Sequence, residues 1–229
     1  MATTKDFNYS GFDKVEVGGA FQVDIAYSDS FKISVYADDF THVDVEQTDH
    51  KLVIKRQGFD WLAPFHQQPR ATVTLPALSE LSVSGASRVR FENFKSPNDL
   101  TLAVSGASQV EARSIATGNL EVKATGASRL EGEIKAAGNV NVEGTGASKI
   151  DLAGSGVSAV MKILGASKAE LSRFPLQNAD LDISGASKVT VNMNGRLDAN
   201  VSGASNLFWS GSPVMGNIQT SGASTLGRK

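Results

Sequence analysis

The sequence predicts an all-β fold: a parallel β-solenoid wound in coils of about 20 residues, with an irregular β region capping its N-terminal end. Three observations carry this. The tripeptide Gly-Ala-Ser occurs eight times, with glycines at 85, 106, 126, 146, 165, 185, 203 and 222, in steps of 21, 20, 20, 19, 20, 18 and 19 residues. Apolar residues alternate with polar ones on both sides of the tripeptide, as in Leu120-Glu121-Val122-Lys123-Ala124 and in Val110 and Ala112 after Ser108. Turn pairs separate the strands: Gly118-Asn119 and Gly138-Asn139 stand 20 residues apart, in phase with the tripeptides, and Asn194-Gly195 and Gly216-Asn217 follow.

Each repeat therefore holds two short strands and two turns. One such unit cannot bury its apolar face, but a stack can, because each strand pairs in parallel with its copies about 4.8 Å above and below. Like residues then form columns. Glycine at the corner serves a positive φ or a place where a Cβ would clash. Alanine is the smallest side chain that packs at a tight corner. Serine sets hydroxyl over hydroxyl, each able to donate to one neighbour and accept from the other. Parity turns Ser inward if the strand runs straight through the glycine, and leaves the direction open if it turns there.

After Ser comes a mainly cationic column of Arg88, Gln109, Arg129, Lys149, Lys168 and Lys188. Two residues on lies a mainly acidic one of Arg90, Glu111, Glu131, Asp151 and Glu170, continued by Thr190 and Phe208. Neighbouring opposite charges offset the repulsion within each column, at about 0.2–1 kcal/mol per pair. The expectation is a solvated ladder on one outward face.

Residues 1–80 differ in texture. Strand-like runs occur at Phe21-Gln22-Val23-Asp24-Ile25, Phe31-Lys32-Ile33-Ser34-Val35 and Leu52-Val53-Ile54. Gly19-Ala20-Phe21 echoes the tripeptide. The first part, 1–80, is expected to be a longer winding that caps the regular coils of 81–229, in one continuous domain; a separate small β-sandwich is the alternative.

Several function classes are excluded or disfavoured. Lys plus Arg total 22 against 24 for Asp plus Glu, so the basic excess of a nucleic-acid binder is missing. With no cysteine there is no disulfide, thiolate metal site or Cys nucleophile. No apolar run is long enough for a membrane-spanning helix. The three histidines, His42, His50 and His66, are not at metal-ligand spacing, and no cofactor motif is present. Gly154-Ser155-Gly156 has no following helix and reads as a turn inside a coil. The stacked carboxylates could raise one another's pKa as a catalytic pair does, but each follows a Lys, Arg or Gln by two residues, which suits a ladder better.

Two aromatic groups are the candidate contacts with a surface glycan or envelope protein. Phe59, Trp61 and Phe65 lie in the long connection 57–70, and Phe208 and Trp209 stand where the charged columns stop. The last tripeptide is followed only by Thr225-Leu226-Gly227-Arg228-Lys229, which leaves an open parallel edge. A homo-oligomer through that edge or through the aromatic connection is expected.

The opening Phe12-Asp13-Lys14-Val15-Glu16-Val17-Gly18-Gly19-Ala20-Phe21-Gln22-Val23-Asp24-Ile25, then Lys51-Leu52-Val53-Ile54, Val73-Thr74-Leu75-Pro76-Ala77-Leu78 and Leu81-Ser82-Val83-Ser84-Gly85-Ala86-Ser87, resemble the bacterial auto-transporter adhesin head, or GIN, domain family. The resemblance runs from about residue 12 to 226. It implies a right-handed β-helical protein of the cell envelope, usually exported, with no catalytic residues to carry over. Met1–Asp6 has no apolar core of a signal peptide, so either a leader has been removed or the protein is cytoplasmic. The expected function is a non-enzymatic envelope adhesin or scaffold. The alternatives are a carbohydrate-binding or carbohydrate-active β-helix and a cytosolic polymer-forming scaffold.

Overall fold

The structure, a computed structural model, describes residues 3–57 and 68–229. Among these there is no helix. The N-terminal strands are β1 (Thr3–Phe7), β2 (Lys14–Val17), β3 (Gln22–Tyr27), β4 (Lys32–Ala37), β5 (Val43–Thr48), β6 (Lys51–Arg56) and β7 (Arg70–Leu75). The regular coils follow as strand pairs: β8 (Glu80–Val83) with β9 (Arg88–Glu92), β10 (Leu100–Val104) with β11 (Gln109–Thr117), and β12 (Leu120–Ala124) with β13 (Arg129–Ala136). Then come β14 (Val140–Gly144) with β15 (Lys149–Ser155), β16 (Ser158–Ile163) with β17 (Lys168–Leu176), and β18 (Asn178–Ile183) with β19 (Lys188–Met193). The last two are β20 (Arg196–Val201) with β21 (Asn206–Ser210), and β22 (Val214–Thr220) with β23 (Thr225–Arg228).

From β8 onward each coil gives its first strand to one sheet and its second to the other. All neighbours in these coils pair in parallel, residue over residue: Leu100 over Leu120, Val122 over Val142, Ile163 beside Ile183. The inward positions of both sheets merge into one apolar core from Phe12 to Leu207. This is the parallel β-solenoid that the 20-residue step predicts, with about 7 turns. Gly154 departs from the expected turn: it lies within β15, and the chain turns after Ser155.

The tripeptide is the corner between the two sheets. Gly126 has φ +74, and a Cβ there would lie 2.8 Å from the carbonyl oxygen of Gly106 in the preceding coil. Ala127 donates its N–H to that same oxygen at 2.8 Å, and Ala147 donates likewise to Gly126. The corner thus needs glycine on two counts, backbone conformation and close approach. Alanine is exposed rather than packed, since its side chain points away from the winding, while the serines from Ser87 to Ser205 are buried.

The serine column only partly fulfils its expected hydroxyl ladder. Ser148 Oγ donates to Ser167 Oγ at 3.1 Å. Ser187 instead donates to the Ser184 carbonyl at 2.9 Å, and Ser87, Ser108 and Ser128 have buried hydroxyls with no hydrogen-bond partner among the described residues. Carbonyls of the corner compete with the neighbouring hydroxyl, because they lie within the reach of so short a side chain.

Some second strands bend. In β11, Arg113 and Ser114 are both exposed, Ser114 has φ 52, and the pairing with β13 shifts between Ala112 and Ile115. The slip brings Ile115 back into the core.

The N-terminal end is wound out of sequence order. β2 and β3 form a coil directly against β8 and β9. Gly19-Ala20-Phe21 is its corner, with Phe21 fully buried where the other coils carry serine. β6 and β7 then lie on the far side of β2 and β3, also in parallel. The first-formed coil is therefore sandwiched between two later ones. Antiparallel strands finish this end: β5 on β6 in one sheet, and β4 then β1 on β7 in the other. Both sheets run unbroken from this cap to the last coil.

Two substitutions test the corner. Gly126→Ala should destabilise the protein by roughly 1–3 kcal/mol through the left-handed backbone alone, with more from the clash, whereas Ala127→Ser should stay within about 0.5 kcal/mol. Ser128→Ala should be neutral or stabilising, because it removes an unpaired buried hydroxyl, while Ser167→Ala should cost about 1 kcal/mol. Denaturant or thermal unfolding of the four variants measures both contrasts.

Candidate functional site

The outward face of the sheet built from the second strands carries the two expected charge columns. Register confirms them: Arg88, Gln109, Arg129, Lys149, Lys168 and Lys188 are successive partners, and so are Arg90, Glu111, Glu131, Asp151 and Glu170. Charges pair along and between the columns. Arg90 bonds Glu111 at 3.2 Å and lies 3.7 Å from Asp24. Arg129 and Lys149 both meet Glu131, and Arg173, from the bend of β17, reaches Asp151 at 3.2 Å. A groove of about 350 Å³ follows this ladder, lined by Asp24, Arg88, Arg90, Gln109, Glu111 and Glu131 among others.

Glu111 shows the electrostatic character of the face. The Arg113 guanidinium bonded to it, aided by Arg90, holds its carboxyl below its ordinary value against the opposing effect of burial. A general acid needs the opposite displacement. One stretch of the face is not solvated as expected. Thr190 is fully buried, and its Oγ1 and the adjacent Glu170 Oε1 have no hydrogen-bond partner among the described residues. Phe208 stands over Thr190 in the next coil.

Of the residues singled out from the sequence, Phe59, Trp61 and Phe65 lie outside the described residues, as does His66. Phe208 and Trp209 are adjacent on β21 but face opposite ways. Phe208 is on the outer face, with the Lys188 ammonium 5.4 Å and the Lys229 ammonium 6.0 Å from its ring centre. Trp209 turns inward and packs against the end of the core. The structure thus does not bring these two rings together as one surface. His50 binds the Gly11 carbonyl through Nδ1 at 2.9 Å, and among the described residues no group of three His, Cys, Asp or Glu could hold a metal.

Sequence reasoning missed a second ladder at the other corner. Asp99 Oδ1 accepts the Asn119 N–H at 2.8 Å, and Asn119 Oδ1 accepts the Asn139 N–H at 2.8 Å. Farther along, Asn178 Oδ1 accepts from Arg196 N, and Asp198 Oδ1 from Asn217 N. Each side chain satisfies a turn N–H of the next coil. The 20-residue recurrence of Gly-Asn held this signal, but a turn propensity does not reveal which neighbour the amide reaches. Exposed Val157 and Val160 lie beside this ladder and were also unforeseen.

Stacked parallel coils with an ion-paired outer face define a class of β-solenoid. The chain belongs to the family described as "Putative auto-transporter adhesin, head GIN domain", which it matches over residues 11–213. It is similar in fold to a protein of Parabacteroides distasonis ATCC 8503 described as a "putative adhesin" (TM-score 0.87, 16% identity, covering 100% of this chain and 97% of that one). A "putative adhesin" of Parabacteroides merdae ATCC 43184 gives TM-score 0.85 at 15% identity, covering 100% of this chain and 96% of that one. A Parabacteroides distasonis ATCC 8503 protein described as a "putative lipid binding protein" gives TM-score 0.85 at 17% identity, with the same coverage of 100% and 96%. At these identities the similarity bears on fold. Comparison with curated proteins finds no match.

The sign of the Glu111 displacement fixes a pH effect. A carboxyl whose folded pKa is lowered adds stability above its unfolded value, and loses it as pH falls through the folded one. Glu111→Gln should therefore cost less than about 1 kcal/mol at neutral pH, given its exposed and screened setting, and the difference from wild type should vanish in acid. Unfolding curves across the acid range check this.

Proposed function

We propose that the chain is a non-enzymatic β-solenoid of the bacterial surface or periplasm, acting as an adhesin or envelope scaffold and exported behind a leader. Membership of the adhesin-head family is the observation that carries this reading. The ion-paired ladder supports it, because carboxylates engaged by Arg90, Arg113, Arg129, Lys149 and Arg173 form a repeating structural surface. Among the described residues no helix is long and apolar enough to cross a membrane. Contact with a surface glycan or envelope protein is assigned to Phe59, Trp61 and Phe65 of the long connection and to Phe208, whose ring lies on the outer face. Trp209, facing the core, supports the last coils. Self-association belongs to the same reading.

A glycan array and a pull-down from envelope extract test it together. Trp61→Ala or Phe208→Ala should weaken the captured interaction at least about fivefold, the loss expected of an aromatic anchor. Glu131→Gln should leave it unchanged. Turnover of any polysaccharide that Glu131→Gln abolishes would overturn the non-enzymatic assignment.

A further inference from the structure

The two ends of the solenoid are built differently. At the N-terminal end the core is closed. Phe12, Ile33, Val35, Ile54 and Leu75 are all buried, and the outermost strands are antiparallel additions carrying charge: Lys5 and Asp6 on β1, Asp44 and Glu46 on β5. Such charges are a usual defence of a sheet edge against pairing.

The C-terminal end has the reverse character. β22 and β23 are the edges of the two sheets, both parallel. Burial of the core stops at Leu207. In the last coil Met215, Ile218 and Leu226 occupy the register of Leu197, Ala199 and Leu207, which are buried one coil earlier, yet Met215 is 44% exposed and Ile218 and Leu226 are only partly covered. Val214 beside them is 68% exposed. Charge also thins. Residues 199 to 227 contain no Lys, Arg, Asp or Glu, and the only charged side chains of the last coil are Arg228, at the end of β23, and Lys229 beyond it. The molecule therefore leaves most of its charge defence off the end where its core is open.

We propose that this end is a self-association surface, and that two copies meet tail to tail across a two-fold axis perpendicular to the winding, with the edge strands of one copy pairing antiparallel to those of the other. This specifies the self-association named above and is independent of any glycan contact. A second copy is the occupant because the surface presents two sheet edges at one fixed separation, and an identical end matches that separation. Along the two edge strands the only charged side chain is Arg228, at the end of β23, with Lys229 beyond it, so the rest of the edge meets its copy without repulsion. Head-to-tail stacking would instead bury Lys5, Asp6, Asp44 and Glu46 against an apolar end, and would propagate into filaments. Pairing tail to tail uses up both open ends and stops at two.

Light scattering coupled to size exclusion on the full chain reads the outcome, with the monomer at 24.1 kDa. The wild type should show twice that mass and fall toward the monomer only on dilution. Ile218→Lys places an ammonium that can reach solvent from an open end but not from a paired one. Thr220→Pro blocks the edge differently. Ser221 donates its N–H inward to Val201, so the Thr220 N–H points outward, and proline removes it without breaking an internal bond. Both variants should be folded by circular dichroism and monomeric. Trp61→Ala should remain a dimer. A wild type that is monomeric up to its solubility limit overturns the proposal, as do filaments, or a dimer that survives both folded variants while Trp61→Ala disrupts it. The glycan and pull-down results stand or fall separately.

Discussion

The carbonyl of one corner glycine lies so close beneath the α-carbon of the next that no side chain fits between them. At Gly185 a Cβ would stand only 2.2 Å from the Gly165 oxygen. With the N–H of the following alanine bonded to that oxygen at 2.7 Å, each corner is locked over its predecessor. Such a lock tolerates no drift in register, because a slip by one residue would put a Cβ where glycine is needed. The rest of the winding inherits its alignment: Leu over Leu in the core, serine over serine inside the corner, charge over charge outside it.

Stacking like on like has a cost on the outer face, where Arg129, Lys149, Lys168 and Lys188 lie in one file. The neighbouring acidic file offsets it, so that Glu131 meets two cations at once. Exposed pairs of this kind contribute little stability individually. Their collective effect is a surface with alternating sign and little net field, in keeping with a chain of formal net charge -2. Glu111, bonded to Arg113 and Arg90, is held toward its charged form, the opposite of what a general acid needs.

The regular coils were legible because their information is local and periodic. The tripeptide marks the corner, alternation marks the strands, and the step fixes which residues stack. Three features were not legible, each for a physical reason. The serine hydroxyls face a choice between a neighbouring hydroxyl and a carbonyl, and that choice depends on distances of a few tenths of an ångström. The Asp99–Asn119–Asn139 ladder depends on side-chain reach rather than propensity. The placement of β6 and β7 outside β2 and β3 reverses chain order, and nothing in the spacing of residues 28–79 says which side of the first coil they take. At 208 and 209 strand alternation, which is legible, sends the two rings to opposite faces.

The reversed winding at the N-terminal end has a mechanical consequence. A solenoid laid down in simple order can be peeled from either end, one turn after another, each step breaking only the contacts of the outermost turn. Here β1, at the edge of its sheet, can come away alone, but the turn of β2 and β3 behind it is clamped between two others, so tension on the N-terminus must then shear its pairings with both neighbours. Tension on the opposite end meets no such clamp. A tether at one terminus and a load at the other would therefore find a rod that resists rupture on one side and frays on the other.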